Sequence, residues 1–275
     1  LRNGAWMMQQ PVAAPADGHK VEQLVGALAN LAIVDFVADA QPDPLAYRLS
    51  VDDAAAQAAL WWEGDEIGLR VFFGKETPAT NNTIYARRGD GDSIYTVSRA
   101  ILDCWPSKPL DLRDHRILRI DPQDVTTLRV KQGEMRTSLE RRRGGGWRIT
   151  EPTRSEADTE FVSRLINNIT GLTAVRFIEL GLTNMAAFGL QPPVVEIELG
   201  GAIPTASTAP AETVKNTLFV GRFDESGTNV YGMLANDRLG FTFPPSSLRT
   251  GDAGSDWLVV PVNWLRYRER TVLNV

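Results

Sequence analysis

Apolar residues recur at the spacing of an amphipathic helix in two separate segments of the chain. In the second segment Leu165 and Ile169 lie four residues apart, Asp158 stands where it can cap a helix, and Gly171 follows where a helix would end. The first segment has the same pattern from Asp17 onward. Apolar stretches on either side, punctuated by Gly, Asn and Asp, predict short strands joined by turns.

The two helical segments are related by a constant offset. The offset is 141 residues, as from Trp6 to Trp147, and it holds without a gap over more than forty positions. We therefore predict two tandem copies of one unit, residues 1–118 and 119–275. The matched pairs include Trp6/Trp147, Pro11/Pro152, Asp17/Asp158, Val21/Val162, Leu24/Leu165, Leu28/Ile169 and Phe36/Phe177.

Each unit is predicted to be α+β, with one long amphipathic helix of about four turns packed on a mostly antiparallel sheet. A predicted hairpin, residues 125–131 and 135–142, precedes the second helix. No counterpart precedes Trp6 and the chain starts without Met, so we expect a fragment cut within its first unit. Residues 200–211 are expected to form a mobile inserted loop. Trp6 and Trp147 are both expected in the core.

Composition and charge restrict the class of protein. The 275 residues are 43% hydrophobic and 23% charged, as in ordinary globular domains. A net charge of −5 argues against nucleic acid as a partner. With Cys104 alone and two histidines, the chain cannot form an internal disulfide or a thiolate or imidazole zinc cage. No apolar stretch approaches the ~20 residues of a membrane-spanning helix, so the chain as given is not expected to cross a bilayer.

Two glycine-containing segments superficially resemble ligand-binding loops. Residues 68–76 lack both the spacing and the Ser or Thr of a phosphate loop, and residues 221–227 lack the spacing of a dinucleotide loop. The first segment is predicted to be a strand with its closing turn, and the second a hairpin turn. The chain also lacks a Gly-x-Ser-x-Gly nucleophile elbow. We therefore predict no catalytic, cofactor-binding or metal-binding residues and no cofactor.

The densest group of titratable residues lies at positions 111–116. Asp114 and His115 could supply a general acid and base, but neighbours on an extended segment point to opposite faces. A charged junction between units is the favoured interpretation, with catalysis by Asp111 or Asp114 as the alternative. Asp103 and His19 are interpreted as loop or helix-start residues.

Two surface features could bind a partner. Arg141, Arg142 and Arg143 lie at a predicted hairpin tip, where they could contact an anion or acidic lipid; a solvated strand edge is the favoured interpretation. Trp61 and Trp62 are adjacent, so one of them should face outward if the segment is a strand. That exposed tryptophan would mark a contact surface.

Several packing motifs occur in both units and carry a family resemblance. They are the W-x4-P-x5-D opening, the aromatic-x-Leu turns at Tyr47 and Phe188, the strand-ending Gly74 and Gly221, and the closing pairs Arg113-Asp114 and Arg268-Glu269. Together they resemble the bacterial domain of unknown function 4340 family over nearly all of the chain. The resemblance implies tandem copies outside the cytoplasm, an upstream membrane anchor, and association with ABC-type transporters related to gliding-motility auxiliary proteins.

From the resemblance and the lack of a motif for chemistry, we expect a non-enzymatic periplasmic or extracytoplasmic protein. Its expected role is the accessory or scaffold part of an ABC-transporter-like membrane complex. One alternative is a hydrolase of cell-envelope carbohydrate with a cleft between the units, which would need two carboxyl groups about 5 to 9.5 Å apart. The other is a module that binds a small ligand or peptide.

Overall fold

Antiparallel β-sheet dominates the protein. The computed structural model describes residues 5–39, 43–61, 68–78, 82–179, 185–203, 212–237 and 239–248, and the chain divides into two compact units, Leu1–Asp114 (unit 1) and His115–Val275 (unit 2). Strands account for 44% of the structure and helices for 20%. The predicted α+β class is therefore wrong. The helices are short, and strands that were not predicted from the sequence, such as β4, add to the sheets.

Unit 1 contains a five-stranded sheet, a separate two-stranded sheet and one helix. The five-stranded sheet has the order β3-β7-β6-β5-β4, and β1 pairs with β2. Short 3₁₀ helices cover Pro44–Tyr47, Arg99–Cys104 and Pro109–Leu112. The elements are β1 (Met7–Met8), β2 (Ala14–Pro15), α1 (Gly18–Ala29), β3 (Ile33–Ala38), β4 (Ala56–Leu60), β5 (Leu69–Glu76), β6 (Thr83–Arg88) and β7 (Ile94–Ser98).

Unit 2 contains one nine-stranded antiparallel sheet and one helix. The strand order is β11-β10-β9-β8-β13-β14-β15-β16-β12, and a 3₁₀ helix covers Pro245–Leu248. The elements are β8 (Val125–Gln132), β9 (Met135–Arg141), β10 (Trp147–Glu151), β11 (Ser155–Glu156), α2 (Thr159–Thr170), β12 (Arg176–Glu179), β13 (Val195–Ile203), β14 (Glu212–Phe223), β15 (Val230–Leu234) and β16 (Leu239–Phe243).

The strand orders of the two units correspond. The run β13-β14-β15-β16-β12 in unit 2 matches β4-β5-β6-β7-β3 in unit 1. The small sheet matches as well, since Met7 pairs with Pro15 and Arg148 pairs with Glu156, each pair 141 residues from its counterpart. In unit 2 the hairpin β8–β9 joins these two parts into one sheet. In the part of unit 1 that the structure describes, the two parts are separate sheets.

Aspartates cap both helices, as the sequence predicts. Asp17 Oδ1 accepts a hydrogen bond from the Lys20 backbone N–H at 3.2 Å, and Asp158 Oδ1 accepts one from the Phe161 N–H at 3.0 Å. Each helix has 12 residues, so each completes just over three turns rather than the four predicted. Gly171 caps the C-terminus of α2, also as predicted.

A matched turn follows each helix-strand segment. Arg48 (φ 58°) and Gly189 (φ 69°) both adopt the left-handed conformation at the end of this turn. A Cβ on Gly221 would overlap the carbonyl oxygen of Phe188, and one on Gly74 would overlap that of Tyr47. The turn therefore packs so closely on the neighbouring strand that only glycine fits there.

The side chains of α2 are more deeply buried than those of α1. In α2, Val162, Leu165 and Ile166 are at most 2% exposed and belong to the large core of unit 2, which also includes residues of β8, β9 and β10. No residue of α1 is buried. Trp147 is 1% exposed and Trp6 is only half-buried, so the expectation of equal burial is wrong. In unit 2, Trp147 is buried in one cluster with Leu128 of β8 and Leu139 of β9.

The predicted inserted loop is partly strand. β13 continues through Ile203 and β14 starts at Glu212, so the first four residues of the predicted loop, 200–203, are paired. A Cβ on Gly200 would overlap the Thr127 hydroxyl on β8, which explains a glycine in mid-strand. Residues 204–211 lie outside the described residues.

Candidate functional site

His115 has a structural environment. Its Nδ1 lies 2.6 Å from the carbonyl oxygen of Ala174, which can only accept, so Nδ1 carries the proton of this hydrogen bond. The ring meets that of Phe177 edge-on, with centroids 5.4 Å apart. The backbone carbonyl of His115 also accepts from the Ala174 N–H at 2.8 Å. These contacts fix the segment that precedes β8 against the residues that precede β12.

Two aspartates of the same region take part in local hydrogen bonds, Asp111 through its carboxylate and Asp114 through its backbone. Asp111 Oδ2 accepts from the Lys108 backbone N–H at 2.9 Å, which closes a 3₁₀ turn. The backbone N–H of Asp114 donates to the carbonyl of Pro15 at 3.0 Å and thereby ties this segment to β2. The Asp111 carboxylate and the Asp114 backbone N–H therefore both help to arrange this segment.

The remaining sequence candidates are on the surface. His19 is exposed in the first turn of α1, where its Nε2 lies 3.1 Å from Gln23 Nε2. Asp103 is exposed within the 3₁₀ helix Arg99–Cys104, and the half-buried Cys104 Sγ donates to the carbonyl of Ile101 at 3.1 Å. Within the described ranges, no three His, Cys, Asp or Glu residues cluster closely enough to hold a metal ion.

Two members of the arginine triplet, Arg141 and Arg142, contact other residues of unit 2. Arg141 donates to the carbonyls of Val125 and Pro122, at 2.8 and 2.9 Å, and its guanidinium lies 4.9 Å from the ring centroid of Trp147. Arg142 forms an ion pair with Glu156 at 3.0 Å. A shallow depression of about 340 Å³ adjoins these residues. It is lined by Glu140, Arg141, Arg142, Arg143, Gly144 and Arg148.

The two glycine-containing segments are structural, as predicted. Residues 69–76 form β5. Of the predicted turn 221–227, residues 221–223 are the end of β14, and the turn between β14 and β15 covers residues 224–229. Asp224 organises this turn: it accepts from the Ser226 hydroxyl at 2.6 Å and from Asn229 Nδ2 at 3.2 Å. The Ser226 hydrogen bond is the main reason that the pKa of Asp224 lies below its ordinary value, and Asn229 adds to the effect.

A charged groove lies on the polar side of the unit 2 sheet. Its volume is about 400 Å³. The strand pairing places Arg129 of β8 opposite Glu198 of β13, with Nη1 and Oε1 2.9 Å apart, and Lys215 Nζ lies 3.6 Å from the same oxygen. The groove is lined by Arg129, Val130, Lys131, Arg136, Thr137, Ser138, Glu151, Glu196 and Glu198.

The groove was not predicted from the sequence because it forms only where β13 pairs with β8, about 65 residues earlier in the chain, while β8, β9 and β10 are consecutive strands. The available signal was charge at alternate positions of two strands, Arg129 and Lys131 on β8 and Glu196 and Glu198 on β13. Glu151 accepts from the Ser138 hydroxyl at 2.7 Å. The groove thus presents ion pairs and hydroxyls on a sheet face, an arrangement suited to holding a polar ligand.

Unit 1 exposes apolar side chains. Val34 and Phe36 of the edge strand β3 are 58% and 63% exposed, and Ile33 and Val37 of the same strand are exposed as well. Trp61 is 62% exposed but follows the end of β4, so the strand on which the prediction of an outward-facing tryptophan depended does not include it. Trp62 lies outside the described residues. We call the side chains of Ile33, Val34, Phe36 and Val37 the β3 surface.

No helix in the portion of the chain that the structure covers is long and apolar enough to span a membrane. A search of curated proteins and a search of solved structures each found no match. One family model, described as "Domain of unknown function (DUF4340)", matches residues 6–193 as a single span. That span is more than half of the chain and crosses from unit 1 into unit 2. The chain therefore belongs to the family described as Domain of unknown function (DUF4340).

Proposed function

We propose that this protein is a non-enzymatic accessory or scaffold component of an ABC-transporter-like membrane complex outside the cytoplasm. The β3 surface is the observation that carries the proposal. An edge strand with four exposed large apolar residues is a site for protein association, because soluble proteins otherwise protect such edges with charge or cover them. The extracytoplasmic location, the upstream anchor, the transporter and the gliding-motility association come from the family resemblance.

We further propose that the two units are tandem copies of one packing unit. The support is geometric: matched strand orders, matched turns, and backbone hydrogen bonds that recur at the same offset. For example, the Ala16 N–H donates to the Trp6 carbonyl at 2.9 Å, and the Ala157 N–H donates to the Trp147 carbonyl at 3.0 Å. Duplication of this kind preserves a shape, which is what a scaffold offers its partners.

The charged groove supports a second candidate, a module that binds a small polar ligand or peptide. Its volume of about 400 Å³ is within the range of small-molecule sites. The third candidate, a carbohydrate hydrolase, would need a pair of carboxyl groups across a cleft. Neither the groove nor the shallow arginine depression is lined by Asp111 or Asp114, so Glu196 and Glu198 are the carboxylates with which to test that candidate.

The test is cross-linking in cells followed by purification of the full-length protein with its partners. Val34→Asp should abolish recovery of the membrane complex because it places a charge on the β3 surface. Val175→Asp is the matched control, since Val175 is 51% exposed at the equivalent position of unit 2. A protein with Glu196→Gln and Glu198→Gln should still recover the complex and retain function.

Two outcomes would overturn the scaffold proposal. One is full recovery of the complex by the Val34→Asp protein. The other is loss of function in the doubly substituted glutamine protein while the complex still assembles, which would favour the ligand-binding or hydrolase candidates. Circular dichroism of the purified proteins excludes misfolding as the cause.

A further inference from the structure

The charged groove of unit 2 contains two cations that lie directly opposite each other. Lys131 of β8 and Arg136 of β9 are register partners, so their side chains project from the same face of the sheet. Both are exposed, and neither forms an ion pair or a side-chain hydrogen bond in the part of the chain that the structure describes. Like charges in this arrangement destabilise a strand pair. We call Lys131 and Arg136 the cation pair; a negative group bound between them would remove the repulsion.

The carboxylates of the neighbouring strand β13 do not neutralise the cation pair. Glu198 already has two cations, because Arg129 Nη1 lies 2.9 Å and Lys215 Nζ 3.6 Å from its Oε1. Glu196 is the register partner of Lys131 and forms no ion pair with it. One carboxylate beside two cations leaves a net positive charge at this end of the groove. This end therefore favours an anionic group of a ligand.

A carboxylate held by a hydrogen bond lines another part of the groove. Glu151 of β10 is the register partner of Ser138 of β9, and its Oε2 accepts from the Ser138 hydroxyl at 2.7 Å. Ser138 is only 7% exposed, so this hydrogen bond fixes the carboxylate against the sheet. Glu151 forms no ion pair with any described residue, and its second oxygen, Oε1, takes no part in that hydrogen bond. Glu151 can therefore accept hydrogen bonds from an ammonium group.

The geometry of the sheet sets the distance between these groups. Adjacent strands lie about 4.8 Å apart, and each residue advances about 3.4 Å along a strand. Glu151 is one strand and two residues away from Arg136, and it is two strands and two residues away from Lys131. Between strand positions, the centre of the cation pair is therefore roughly 10 Å from Glu151. Three residues of extended peptide cover that distance, at no more than about 3.6 Å per residue.

We propose that the charged groove binds a short peptide with free ends, about three residues long. The terminal carboxylate of the peptide lies between Lys131 and Arg136, and its terminal ammonium group donates to Glu151. The volume of about 400 Å³ accommodates a ligand of this size. The inference assigns a ligand class to the groove and goes beyond the scaffold function, which is carried by the β3 surface of unit 1.

The experiment uses the whole chain and trialanine as the probe. Binding is followed by NMR through the backbone amide shifts of β8, β9 and β10, and by titration calorimetry. We expect trialanine with free ends to saturate these shifts with a Kd of about 1 mM or below. N-acetyl-trialanine and trialanine amide each lack one terminal charge, and each should bind at least about tenfold more weakly because a hydrogen bond between charged groups is lost.

Matched variants assign each end of the peptide to its residues. Lys131→Gln with Arg136→Gln should weaken the binding of free trialanine at least about tenfold and leave that of trialanine amide unchanged, because the amide has no carboxylate. Glu151→Gln should weaken the binding of free trialanine and leave that of N-acetyl-trialanine unchanged. Arg143→Gln and Glu140→Gln change exposed residues that do not line the groove, and these controls should bind like the unsubstituted protein.

Two results would overturn the peptide site. One is the absence of saturable shifts in β8, β9 and β10 at trialanine concentrations up to about 10 mM. The other is equal binding of free and acetylated trialanine, which would show that the groove recognises an anion alone. Recovery of the membrane complex from cells tests the scaffold function separately, because it depends on the β3 surface and not on the groove.

Discussion

Replacement of Trp147 by alanine tests the buried core of unit 2 against its counterpart in unit 1. Trp147 is 1% exposed, and its ring packs in the main core beneath the guanidinium of Arg141. Removing a large aromatic side chain from such a site costs about 3–5 kcal/mol, the lost transfer free energy plus the cavity left behind. Trp6→Ala removes a half-buried ring and leaves no closed cavity, so its expected cost is roughly 2 kcal/mol.

The assay is residue-resolved hydrogen exchange at increasing urea concentration, which gives an opening free energy for each helix separately. A single unfolding midpoint would mix the two units, since a chain of this organisation need not unfold in one step. Trp147→Ala should lower the opening free energy of α2, and Trp6→Ala should lower that of α1 by less. A loss below about 1 kcal/mol for Trp147→Ala would place its ring at the surface and refute the reasoning.

Two further predictions concern local conformation and pH. Arg48→Gly should stabilise unit 1 by about 0.5–1 kcal/mol in denaturant titrations, because glycine adopts the left-handed backbone conformation of this position without steric strain. Gly189→Ala should destabilise unit 2 by at least about 1 kcal/mol. Equal effects of the two substitutions would contradict the prediction that both turns have the same conformation. The Ser226 hydroxyl lowers the pKa of Asp224 in the folded protein. The ionised carboxylate therefore stabilises the turn at pH values above the unfolded-state pKa of about 3.9, and this stabilisation is lost as the pH falls through the lower folded-state pKa. The chemical shift of the Asn229 amide should titrate with a midpoint below about pH 3.9, and the Asp224→Asn substitution should abolish this titration. A midpoint above about pH 3.9 would contradict the predicted direction of the pKa shift.

Local signals in the sequence were sufficient for many elements. Asp158 and Gly171 bound α2 as predicted, because capping and termination depend on a few adjacent residues. The hairpin of residues 125–131 and 135–142 was also predicted, since its apolar residues lie on either side of a clear turn signal. These features could be predicted from the sequence because they depend on residues close together in the chain.

The fold class and the burial pattern depended on distant contacts. β4 has the sequence Ala-Gln-Ala-Ala-Leu, which carries little intrinsic strand preference, and its strand conformation comes from pairing with β5. Trp6 and Trp147 share a local sequence pattern but differ in burial. The constant offset between them predicts matching local structure and carries no information about the residues that pack against each ring. The charged groove likewise exists only because β8 pairs with β13.

The most direct test of the account is the chemical accessibility of matched helix positions. The central claim is that α1 and α2 are equivalent elements that differ in burial, α1 being partly exposed and α2 buried in one core with residues of β8 and β9. In a Cys104→Ser background, cysteine is introduced in place of Leu24 or Leu165, which are partly exposed and 2% exposed respectively. We expect a thiol reagent to label position 24 at least a hundredfold faster than position 165. Equal labelling rates in the folded protein would contradict the claim.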